Sequence, residues 1–284
     1  MLAKTRTRSG KPLGYSTVAG LVLYVVVWVV TIGPLIALFF HASSRSIERQ
    51  LSRTGGVSPL TVSFTSSLIA LAVVVLLGTP LAFGLARSKF PGTQVVRVSI
   101  QILLVIPPLV LGLLLVYLLG PYSLFGGVLG HLHLSATNTF FAVIIAEIYE
   151  AIPYYVLGAE AGFRSVDKSL EQAAGLLGAS KLEVFRSITV PLSSGHLATA
   201  LGFAWARAMG AFGAVIVVAY NPHNLPMAIY ISLQDQGLGA AFGYAVIFVI
   251  VSLPVPLLAY GWARTRSKSL ERDLGLEIHA NVLY

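Results

Sequence analysis

Four charged side chains stand in stretches that are otherwise apolar: Glu147, Glu150, Glu160 and Arg207. Ionisable groups in such surroundings are costly, so they face a cavity or pair with one another. Glu150 and Arg207 each lie about thirteen residues, roughly 20 Å of helix, from the same end of their stretches. Equal depth makes them partners in one of two ways. They form a static interhelical ion pair, or they stand on a path that an anion follows. Glu160, nearer the end of its stretch, reads as an interface residue. His131 and His133, at i, i+2 in a glycine-rich segment with no acidic neighbour, read as loop residues, and no metal ligand set is assigned. The chain has no cysteine, which excludes disulfides and thiolate metal sites. It also lacks a Gly-x-x-x-x-Gly-Lys phosphate loop, so it does not bind ATP in that way. A nucleophile, base or metal ligand set would have to converge at one depth, and only Glu and Arg do. No catalytic residue is expected.

A second constellation occupies residues 164–193. Asp167 is placed to cap a short helix, whose Leu170, Ala173, Ala174 and Leu177 form an apolar stripe at helical spacing. Gly178 stands where a left-handed residue ends that helix. Ser180 and Glu183 form a Ser-x-x-Glu capping box that opens a second helix, and Pro191, after Ile188, is expected to stop it. The small Ala173-Ala174 pair suggests a surface on which something packs closely. A hairpin lying on lipid headgroups would be the bland alternative. A DNA-binding helix-turn-helix is excluded, because four basic and three acidic residues leave no phosphate-binding footprint.

The elements that must hold these residues are set by composition. Over 284 residues, 56% are hydrophobic, only 11% are charged, and mean hydropathy is +0.82. Soluble domains carry about 25% charged residues. The chain is therefore an all-α integral membrane protein. Charge-free runs at 12–44, 54–86, 98–146, 208–234 and 236–263 each exceed the length of a membrane helix. Six spans are expected at 17–41, 60–86, 98–119, 138–163, 194–219 and 240–263. The first follows basic residues like a signal peptide but is too long for one, so it reads as an uncleaved span. With the N-terminus inside, inner segments hold fifteen Lys and Arg (4, 3, 4 and 4) and outer segments three. That bias places both termini in the cytoplasm. The domains follow: a basic cytoplasmic N-terminus (1–16), a six-helix membrane domain (17–263) and a cytoplasmic tail (264–284). Proline is expected to break two spans, at Pro107-Pro108 and at Pro153, either as packing kinks or as bends lining a cavity or gate.

Glu171-Gln172-Ala173-Ala174, then Gly178, then Ile188-Thr189-Val190-Pro191 resembles the "EAA" coupling motif of the ABC-importer permeases. The likeness covers nearly the whole chain and implies a type I importer-like permease of the cell membrane. It implies that Glu171, Gln172, Ala173, Ala174, Gly178, Ala179, Ser180, Ile188 and Pro191 form the interface with a cytoplasmic ATPase. Ile106-Pro107-Pro108-Leu-Val-Leu-Gly112, Ala206-Arg207-Ala-Met-Gly210-Ala-Phe212-Gly213-Ala214 and Leu225-Pro226-Met-Ala-Ile-Tyr230 are similar to stretches of molybdate, tungstate and sulfate permeases. On that likeness the translocation path or gate would draw on Pro107, Pro108, Gly112, Glu150, Pro153, Arg207, Gly210, Phe212 and Gly213. Gln172 and Ala211 depart from the family, where Glu is frequent. The implied partners are two ABC ATPase subunits, which hold ATP and magnesium, an extracytoplasmic oxyanion-binding protein, and a second copy of the chain. The implied cargo is molybdate or tungstate, with sulfate or another small solute as the alternative. A secondary transporter is the rival class, but the inverted hydropathy repeats it calls for are not seen.

Overall fold

The computed structural model describes residues 15–41, 47–48, 58–88, 91–132 and 134–273. His133 and most of the two terminal segments lie outside the described residues. The described residues are helical with short connections. Among the described residues, five helical stretches are long and apolar enough to cross a membrane: Ala19–His41, Pro59–Arg87, Phe140–Ser165, Lys181–Val218 and Leu238–Thr265. The pair Thr93–Val105 and Pro108–Leu119 is apolar enough as well but is bent by 118°, the shape of a broken span or of a re-entrant loop. The expected third span, 98–119, is therefore not one kinked helix. Ile106 takes the extended backbone imposed on a residue before proline, with φ −66 and ψ 122. Proline's missing N–H then stops the helical ladder from re-forming across the break.

We number the helices in chain order. α1 is Tyr15–His41 and α2 is Pro59–Arg87. The broken pair is α3, Thr93–Val105, and α4, Pro108–Leu119. The segment after α4 carries α5, Leu124–His131, followed by α6, Phe140–Ser165. Pro153 sits inside α6 without breaking it, contrary to the expected interruption. Membrane helices tolerate proline where neighbours and local adjustment re-satisfy the backbone.

The hairpin is α7, Lys168–Leu176, and α8, Lys181–Val184. A π-helical turn, Phe185–Thr189, joins α8 to α9, Val190–Met209. Pro191 thus does not end the second hairpin helix. It is the second residue of α9, and the wide turn before it, in which the Val190 N–H reaches the Phe185 carbonyl, accommodates its ring. The hairpin's second helix and the fifth span are one continuous rod, from which α7 is set off by the turn at Gly178. Beyond it come α10, Gly213–Val218, and α11, Leu225–Gln236. The last span divides into α12, Leu238–Ser252, and α13, Pro254–Asp273.

α6 is the axis of the core, with α2 and α9 along it and α4 and α10 on its N-terminal half. Small residues bring these helices close, as membrane packing favours. A Cβ added at Gly158 of α6 would stand 2.7 Å from Ala200 of α9. One added at Gly213 of α10 would stand 2.7 Å from Pro108 of α4. α1 is apolar all round and leaves residues such as Tyr24, Trp28 and Val30 exposed, as suits a helix facing lipid.

Candidate functional site

The hairpin's punctuation is as its residues dictate. The Asp167 carboxylate accepts the Ser169 N–H at 2.9 Å. Those Ser169 contacts hold its pKa below the ordinary value. α7 ends with Gly178 at φ +95, the Gly178 N–H on the Gly175 carbonyl and the Ala179 N–H on the Ala174 carbonyl, both 3.1 Å. That is the double bond of a Schellman motif. The Ser180–Glu183 capping box is closed in both directions, at 2.7 and 3.3 Å.

The hairpin's outer face is apolar and open. Leu176 and Leu177 are each 90% exposed, and Leu170 and Leu182 are exposed beside them. Gln172, Ala173 and Ser180 are exposed as well, while Ala174, Ala179, Ile188 and Pro191 are half-buried. Glu171 points the other way. Its carboxylate accepts Arg87 Nε at 2.9 Å and Arg87 Nη2 at 2.7 Å, and the Thr189 hydroxyl donates to it at 2.7 Å. Partial burial raises the Glu171 pKa, but the Arg87 and Thr189 hydrogen bonds with the Arg87 and Lys168 charges outweigh it and hold the group below its ordinary range.

The path residues lie around the Glu150–Arg207 pair and the α4–α10 contact. Glu150 meets Arg207 at 2.6 Å, so the residues of equal depth do pair. Glu150 also accepts the Ala214 N–H at 3.3 Å, across the gap between α9 and α10 where Gly210 ends one helix and Phe212 precedes the other. Arg207 lies 5.9 Å from the Tyr154 ring centroid. Gly112 of α4 faces the Ala214 backbone, where a Cβ would come within 2.8 Å of its carbonyl. Phe212 packs on Tyr230, ring centroids 5.3 Å apart. Pro108, Gly112 and Gly213 therefore meet at the α4–α10 contact, with Pro107 directly before α4. Glu150, midway along α6, ties Arg207 to the start of α10, with Gly210 and Phe212 in the α9–α10 gap. Pro153 is buried lower in α6.

Several residues of these sites carry no sequence signal. Arg87 and Thr189 are separated from Glu171 by 84 and 18 positions. Glu160, near the end of α6, is buried and held by Arg97 at 2.7 Å and Arg164 at 2.9 Å. Its i, i+4 relation to Arg164 was readable; Arg97 was not. Glu147 is fully buried and accepts the Ser66 hydroxyl at 2.8 Å. Asn224 is buried too, bonding the Ala211 carbonyl at 2.7 Å and so bracing the α9–α10 gap.

Residues 75–268 match the family described as the inner membrane component of binding-protein-dependent transport systems. The chain belongs to that family. It is a multi-pass transmembrane subunit of an ABC importer. A probable molybdenum ABC transporter permease protein of Haloferax volcanii is 35% identical over 227 residues, 80% of this chain and 83% of that one. The molybdate/tungstate transport system permease protein WtpB of Pyrococcus abyssi is 29% identical over 249 residues, 88% of this chain and 93% of its own. The molybdenum transport system permease protein ModB of Haemophilus influenzae is 31% identical over 221 residues, covering 76% and 93%. Among solved structures, a bacterial alginate ABC transporter bound to a periplasmic protein carrying an alginate pentasaccharide superposes with a TM-score of 0.70 at 17% identity, covering 87% of this chain and 94% of that one. The MetNI methionine ABC transporter, inward facing, gives 0.53 at 16% identity, covering 73% and 92%. The fold of this permease is thus that of type I ABC importers.

Proposed function

We propose that this permease carries a tetrahedral oxyanion, molybdate or tungstate, into the cell. The observation that carries the cargo assignment is that relatives spanning most of the chain are named for these anions. Two ATPase subunits, each binding ATP with magnesium, dock on the 164–193 hairpin. The open leucine tip at Leu176 and Leu177, on a hairpin whose two helices are each capped at their start, supports that role. An extracytoplasmic binding protein delivers the anion, and two copies of the chain form the pore. Both termini lie in the cytoplasm, on the strength of the fifteen-to-three distribution of Lys and Arg.

ATP-driven closure of the ATPases moves the hairpins, and the spans attached to them rock to open the cavity outward. Arg207 supplies positive charge near the path. A dianion stripped of water needs such compensation, and the pairing with Glu150 keeps Arg207 from holding it too firmly. No bond in the cargo is made or broken. The test is ATP hydrolysis by the transporter assembled in liposomes with its ATPase and binding protein. Molybdate or tungstate is expected to stimulate hydrolysis, and sulfate at equal concentration is not. Stimulation by sulfate alone would overturn the cargo assignment.

A further inference from the structure

The carboxylate of the hairpin motif does not sit on the hairpin's open face. We infer that Glu171 is a positioning residue, which with Arg87 and Thr189 latches α7 to the inner ends of α2 and α9, so that a push on the hairpin reaches both spans together. The inference rests on the coupling role proposed for the hairpin and assigns the residue through which that motion passes.

Both carboxylate oxygens are already engaged. Oε1 takes Arg87 Nη2 and the Thr189 hydroxyl, both at 2.7 Å, and Oε2 takes Arg87 Nε at 2.9 Å. A two-point Arg–carboxylate fork fixes orientation as well as distance, and lysine cannot reproduce it. The side chains are largely enclosed, 13% exposed for Arg87 and 15% for Glu171. Giving either oxygen to a docked partner would mean breaking this fork.

Each member stands where a force must pass. Arg87 is the last residue of α2, and its Nη2 also donates to the Val166 carbonyl at 3.1 Å, in the link between α6 and α7. Thr189 is fully buried and closes the π turn from which α9 departs. Without the fork, α7 would be joined to α6 through Val166 and Asp167 alone, and to α9 through the turn at Gly178. With it, α7 and the inner ends of α2 and α9 form one body. The leucine tip then makes the contact and Glu171 transmits it.

The absence of native cysteine makes a direct test possible. Three forms are compared with wild type in the complete transporter in liposomes: Glu171→Gln, the pair Arg87→Cys with Glu171→Cys, and Leu177→Glu as a contact control. ATPase retention and molybdate imported per ATP hydrolysed are measured separately. Glu171→Gln is expected to keep ATPase retention near wild type while import per ATP falls about tenfold, the scale of a lost charge-assisted hydrogen bond. Bridging the cysteine pair with a flexible bifunctional thiol reagent is expected to recover import per ATP, since a covalent tie replaces the fork. Leu177→Glu is expected to lose the ATPase. The inference is overturned if Glu171→Gln loses the ATPase as Leu177→Glu does, or if bridging recovers nothing. ATPase retention by Leu177→Glu would overturn the hairpin reading and this inference with it.

Discussion

Glu150 is 1% exposed and Arg207 30%, so the pair has one enclosed end and one open end. Removing Arg207 alone leaves Glu150 as a lone buried charge, which costs about 3–5 kcal/mol, whereas removing both charges is often nearly neutral. Arg207→Gln is therefore expected to lower the thermal unfolding midpoint of the purified permease, and Glu150→Gln added to it to restore the midpoint. Oxyanion uptake is expected to stay lost in the double variant, on the proposal that the open end of Arg207 serves the path. Recovered uptake would reduce the pair to scaffold. Glu171 gives a pH prediction. Its pKa is depressed by folding, so its stabilisation is full at neutral pH, above the ordinary value near 4.5, and is lost as pH falls through the depressed value. The stability difference between wild type and Glu171→Gln should accordingly shrink in acid; a difference that grows there would contradict the fork. Counting along helices was enough to pair Glu150 with Arg207, because depth is a linear property of sequence. The Ala214 N–H on Glu150, and Arg87 on Glu171, depend on where separate helices meet, which no local pattern records.

Local punctuation explains why the hairpin was legible down to single residues. Asp167, Gly178, Ser180 and Glu183 act on backbone groups within five positions of themselves, so their types dictate the outcome. Gly178→Val is expected to cost on the order of 1–2 kcal/mol through left-handed strain. It should cut transport while the permease still extracts and folds, and unimpaired uptake would count against the turn as a coupling element. Proline was read less well, since its effect depends on surroundings. Pro107 and Pro108 turn the chain by 118° because α4 can pack on α10, with Gly112 and Gly213 admitting the close contact. Pro153, by contrast, is absorbed within α6 between packed neighbours, and Pro191 is absorbed by a π turn that continues the rod into the fifth span.

At the scale of the molecule, the apolar runs gave the helical class and five of the six expected spans, because bilayer thickness converts directly into helix length; the sixth, 98–119, is the bent pair α3–α4. They left out how the spans pack around α6, which rests on small residues meeting across helices. Orientation is tested by single cysteines in the cysteine-free chain. One at Tyr122, exposed in the outer segment, should react with an impermeant reagent added to intact cells, and one at Ser180 should not. Labelling at Ser180 from outside would invert the topology. The central claim is that this chain passes an oxyanion inward on energy drawn from a docked ATPase. It is met most directly by measuring labelled molybdate accumulating in liposomes that hold the permease and its ATPase, with the binding protein at the extracytoplasmic face. Accumulation should require ATP on the hairpin side and the binding protein on the other, and excess tungstate should suppress it. Uptake driven by an ion gradient with the ATPase left out would contradict it.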